Sequence, residues 1–80
     1  MLDLINWVRD GKYRIKALES LSKKPHLSSE LAIALNINRA SMSRILRLLK
    51  EKELVDNITS NSRTVTYMIT DKGKTILKKI

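Results

Sequence analysis

The stretch Ser28–Val55, SSELAIALNINRASMSRILRLLKEKELV, decides how this chain folds. It reads as two short helices joined by a tight turn. Ser28 is the best N-cap for the first helix, with Glu30 near its positive end and Leu31, Ala32 and Leu35 on its inner face. The turn is Leu35-Asn36-Ile37-Asn38. Asn36 stands where the first helix stops, and asparagine tolerates left-handed backbone better than any residue except glycine. Ile37 can plug the core from within the turn, and Asn38 can cap the next helix through its side-chain oxygen.

The second helix of the pair, over about residues 38–52, carries the more specific signal. On a wheel of 3.6 residues per turn, Met42, Ile45, Leu46 and Leu49 gather on one side as a core stripe. Ala40, Ser43, Arg44 and Arg47 take the opposite side, with Arg39 and Ser41 near the helix start. An ordinary solvated face mixes signs, but no acid occurs from Asn38 to Lys50; Glu51 and Glu53 come only at the end. Small residues beside arginines are what close approach to a duplex groove requires, since arginine can fork onto guanine O6 and N7.

After Leu54-Val55 the period changes to two. Val65, Tyr67 and Ile69 alternate with Thr64, Thr66 and Met68 in a half-buried strand, and Leu54–Thr59 is its expected partner. The connection between them, about residues 59–64, is short and polar and includes Asn61 and Arg63. It is expected to act as a wing on the minor groove or the DNA backbone. Upstream, Gly11 separates a helix over Leu2–Arg9 from one over Lys12–Ser22, where Tyr13, Ile15, Leu18 and Leu21 recur at helical spacing. Lys23-Lys24-Pro25-His26 ends that second helix.

Composition supports a polyanionic partner. The 80 residues form one expected domain, 1–80, with a net charge of +8 and 42% hydrophobic residues. Phenylalanine and cysteine are both absent, and Trp7, Tyr13 and Tyr67 are the aromatics. Without cysteine there is no disulfide or thiolate metal site, and His26 reads as an exposed loop residue. The start, MLDLINWVRDGK, is too short in apolar residues for a secretory segment, and no run approaches a membrane span. The expected location is the cytoplasm. No nucleophile–base pair, paired carboxylates, phosphate loop or metal set can be assembled, so neither an enzyme nor a cofactor or metal site is expected.

The order helix, helix, turn, helix and two-stranded wing resembles the winged helix-turn-helix transcriptional regulators, particularly the MarR-like and ArsR-like groups. The resemblance runs from about Tyr13 to Gly73. Tyr13-Arg14-Ile15-Lys16-Ala17-Leu18 is similar to their first helix and Ser29-Glu30-Leu31-Ala32 to their second. Arg39-Ala40-Ser41-Met42-Ser43-Arg44-Ile45-Leu46 resembles their recognition helix, and Tyr67-Met68-Ile69-Thr70-Asp71-Lys72-Gly73 the end of their wing. Glu53 departs from the glycine common after that helix. Because a left-handed glutamate would cost about 1–2 kcal/mol, a different helix ending is expected. The ligands of metal-sensing ArsR-like proteins are missing. The long terminal helices that build ligand pockets in many MarR-like proteins have no counterpart here, so a small-molecule effector is not expected.

The resemblance and the residues together imply an α+β fold, a three-helix core with a two-stranded β-wing and short terminal helices, binding double-stranded DNA. Arg39, Ala40, Ser41, Ser43 and Arg44 would approach base edges, and Arg47 and Lys50 would hold flanking phosphates. Ser28 and Ser29 could offer backbone N–H groups to a phosphate. The terminal helices carry Ile5, Trp7 and Val8 and Ile76, Leu77 and Ile80, more apolar side chains than a lone domain of this size needs, and a homodimer through them is expected. The competing expectation is a protein–protein interaction module of the same fold, to which Leu48, off the core stripe, would belong.

Overall fold

Gly11 and Pro25 punctuate the start of the chain. In the computed structural model, which describes residues 2–58 and 65–80, α1 spans Leu2–Arg9 and α2 spans Lys12–Lys23. Helix α3 is Ser28–Leu35, α4 is Arg39–Glu51 and α5 is Asp71–Lys78. Each helix sends side chains into one interior: Ile5 and Val8, then Ala17, Leu18 and Leu21, then Leu31 and Ala32, then Met42, Leu46 and Leu49, and finally Ile76. Full burial of each larger side chain contributes about 1.5–3 kcal/mol, so the orientation of α4 is fixed chiefly by its three inner residues.

Among the described residues three short strands complete the fold: β1 (His26–Leu27), β2 (Val55–Ile58) and β3 (Thr66–Ile69), in the order β1-β3-β2. The hairpin pairs Val55 with Ile69 and Ile58 with Thr66, and Ile69 turns inward as the alternation requires. The third strand corrects the sequence. His26 is not an exposed loop residue; it is half-buried and pairs with Tyr67, while Leu27 pairs with Thr66. The physical reason is twofold. Lys24, placed before Pro25, is extended, which directs the chain along the sheet. In addition, β3 has a second edge whose backbone groups need partners.

That strand also moves the start of α3. Held extended up to Leu27, the backbone makes Leu27 the N-cap, and Ser28, expected in that role, becomes the first helical residue. A leucine has no side-chain acceptor. The end is stabilised instead by Glu30, whose carboxylate accepts the Leu27 N–H at 2.8 Å. The turn behaves as expected. Asn36 is left-handed (φ 57°), its N–H donates to Ile33 and the N–H of Ile37 donates to Ala32. Ile37 packs on the core, and the Asn38 side chain accepts the Ser41 N–H at 2.7 Å.

The end of α4 overturns another expectation. Glu53 is left-handed after all, at φ 63°. Its N–H donates to Lys50 at 2.9 Å and the N–H of Leu54 donates to Leu49 at 3.0 Å, the pattern usually closed by glycine. Tertiary contacts over-determine it. Leu54 and Leu49 are both fully buried, and Thr70 donates its hydroxyl to the Glu53 carbonyl at 2.7 Å while accepting the Gly73 N–H at 3.0 Å. Lys72 lies 3.9 Å from the Glu53 carboxylate, an exposed pair that adds little. Glu53→Gly should therefore stabilise the chain. Relief of about 1–2 kcal/mol of strain exceeds the roughly 0.5–1 kcal/mol that glycine costs in chain entropy. Thermal melting should rise by about 2–8 °C; a melting point at or below that of the parent would show that Glu53 is unstrained.

Candidate nucleic-acid interface

Helix α4 is amphipathic in a way that separates support from presentation. Met42, Leu46 and Leu49 are fully buried and Ile45 packs beside them. On the other side, Arg39, Ala40, Arg44, Arg47 and Lys50 are exposed, and Ser41 and Ser43 are half-buried between them. Ala40, Ser43, Arg44 and Arg47 follow the three- and four-residue spacing that lines up one helix face. Among the described residues the only ion pair is Lys72–Glu53, so the α4 cations are not neutralised by neighbouring carboxylates. A helix about 10–12 Å across matches a major groove about 12 Å wide, and the positive face is the one left free.

Ser28 and Ser29, half-buried, form the start of α3. Asn61 and Arg63 lie outside the described residues. Leu48 is half-buried and outside the main core. In front of the turn lies an open hollow of about 580 Å³, lined by Tyr13, Asn36, Ile37, Asn38, Ser41, Arg44 and Ile45. Tyr13 was not among the expected site residues. Its helical spacing identifies it as an inner-face residue of α2, and its position beside the turn exists only once α2 packs against α4.

The expected dimer surface needs correction. Val8 and Ile76 are fully buried and Ile5 nearly so, all within the chain's own core. Those side chains are spent on folding, because a domain this small draws on every apolar contact. Trp7 is occupied as well. The Arg14 guanidinium sits 4.1 Å and the Lys52 ammonium 4.7 Å from its ring centroid, and Arg14 also donates to the Trp7 carbonyl. Trp7 thus ties α1 to α2 and to the C-terminal end of α4. Of the six residues, Leu77 is half-buried and Ile80 is 41% exposed.

Among the described residues, no group of three or more histidine, cysteine, aspartate or glutamate side chains could hold a metal ion, and no helix is long and apolar enough to cross a membrane.

Solved structures with a similar fold include the transcriptional regulator BldR from Sulfolobus solfataricus. It is 27% identical with a TM-score of 0.75, over 81% of this chain and 48% of that one. The zinc-responsive MarR family member ZitR of Lactococcus lactis is 25% identical with a TM-score of 0.75, over 84% of this chain and 48% of that one. A ZitR variant solved in complex with DNA is 23% identical with a TM-score of 0.76, over 84% and 47%. The chain spans about half the length of these regulators. No curated protein sequence matches it. The winged helix-turn-helix profile matches residues 9–80, from the end of α1 through α5; the chain belongs to the winged helix-turn-helix family.

Proposed function

We propose that the chain binds double-stranded DNA sequence-specifically as a transcriptional regulator in the cytoplasm, with α4 in the major groove. One observation carries this: α4 is anchored by Met42, Leu46 and Leu49 and presents an exposed, acid-free face of arginines and small residues. Arg39, Ala40, Ser41, Ser43 and Arg44 approach base edges, while Arg47 and Lys50 hold flanking phosphates. The first turn of α3, at Ser28 and Ser29, offers N–H groups to the backbone. Asn61 and Arg63 supply the wing contact. The existence of a ZitR–DNA complex with the same fold supports this use of it. Two copies related by a two-fold axis, in contact through Leu77 and Ile80, would set two α4 helices about 34 Å apart on a pseudo-palindrome.

Arg44→Ala tests the assignment. It should cost about 1–3 kcal/mol, roughly 5- to 150-fold, on the preferred site and less on random duplex, where only its charge near the backbone is lost. Arg63→Ala should weaken both by similar factors, since backbone contacts carry no sequence information. If Arg44→Ala leaves discrimination intact, the face has been assigned wrongly. The competing reading, a module that docks onto another protein, would use Ile33, which is 79% exposed on α3. Loss of a partner protein with Ile33→Glu, with duplex binding absent in the parent, would establish it instead.

A further inference from the structure

We infer that the hollow in front of the turn is a seat for one DNA backbone phosphate and its deoxyribose, with Tyr13 as a donor to that phosphate. This rests on the DNA-binding reading. The hollow's lining has a consistent chemistry. Tyr13 from α2, Asn36 and Asn38 from the turn, and Ser41 and Arg44 from α4 all carry hydrogen-bond donors, and no carboxylate lines it. The Asn38 oxygen already accepts the Ser41 N–H, which leaves its amide N–H groups to donate elsewhere. Lys12, whose ammonium sits 5.7 Å from the Tyr13 ring centroid, places a further positive charge next to Tyr13.

Size and floor fit the same occupant. A volume of about 580 Å³ exceeds what a lone phosphate fills, and the apolar surface of Ile37 and Ile45 suits the sugar carbons next to it. The hollow is also continuous with the face of α4, because Ser41 and Arg44 belong to both. A duplex seated on α4 therefore brings one strand to its mouth.

The 80-residue chain and its preferred duplex test this. Tyr13→Phe keeps the ring and removes the hydroxyl. It should weaken preferred and random duplexes alike, by about tenfold, with the salt slope unchanged because the hydroxyl carries no charge. Phosphate-ethylation interference supplies the specific readout: one phosphate per half-site should block the parent when ethylated and cease to matter to Tyr13→Phe. Should Tyr13→Phe lower the melting point, Asn36→Gly, which keeps the left-handed turn but removes the amide, must lose the same phosphate.

Affinity within twofold of the parent, or an unchanged interference pattern, overturns the seat while leaving DNA binding intact. Saturation of the hollow by micromolar inorganic phosphate, with the interference pattern unchanged, would assign it to a free anion and overturn it too. If the parent binds no duplex at all, the DNA-binding reading fails and the seat falls with it.

Discussion

Between 50 and 200 mM salt, the affinity for duplex DNA is expected to fall by about 250- to 1,000-fold per domain. The exposed cations of α4, namely Arg39, Arg44, Arg47 and Lys50, have no carboxylate partner among the described residues. Together with Arg63 they supply five positive charges that can neutralise about 4–5 phosphates, each releasing condensed counterions. Log affinity should then fall with log salt at a slope of about −4 to −5. A titration of binding by fluorescence anisotropy reads the slope directly. The single Trp7 is a poor reporter, since its ring is already covered by Arg14 and Lys52. A flat salt dependence would mean that the positive face is solvated surface and that the fold serves protein contacts.

The largest stability effect is expected at Gly73. A Cβ there would stand 2.2 Å from the Leu54 carbonyl oxygen and 2.7 Å from a side-chain carbon of Ile69. The first neighbour is backbone, and that oxygen already accepts the Thr70 N–H at 3.1 Å, so it cannot yield without loosening the junction between α4, β2 and α5. Gly73→Ala should cost about 3 kcal/mol or more, the upper range for overpacking, against a total stability of about 5–15 kcal/mol. Melting should fall by about 12 °C or more. Gly11→Ala is the control. Its added carbon meets only the Arg14 side chain, whose displacement gives up the contacts with Trp7 but shifts no backbone, and its cost should stay under about 2 kcal/mol. A Gly73→Ala melting point within about 2 °C of the parent would contradict the close approach of α5 to the end of α4.

What the sequence disclosed and what it hid divide along a physical line. The turn Asn36-Ile37-Asn38 was legible because left-handed tolerance and side-chain capping are local properties, and the structure places both residues as expected. The two faces of α4 were legible for a similar reason, since one periodicity sorts Met42, Leu46 and Leu49 from Arg44 and Arg47. Strand β1 was not, because two residues have no period and their partners, Tyr67 and Thr66, are distant in sequence. Glu53 shows tertiary bonding overriding local preference: the Thr70 hydroxyl and the buried Leu54 hold a backbone shape that glutamate alone resists. The terminal helices misled for the opposite reason. Ile5, Val8 and Ile76 look surplus on a helix wheel, but only packing reveals that the core consumes them. Tyr13 belongs with these, its place in the hollow being a product of assembly.

Selection of duplexes from a random pool by the 80-residue chain at about 150 mM salt decides whether α4 reads bases. One sequence with two-fold symmetry and half-sites about one helical turn apart should be enriched, and Arg44→Ala should blur the preference at a guanine within each half-site. Recovery of the pool without enrichment, at a salt concentration where the chain still binds DNA, would contradict base reading by α4.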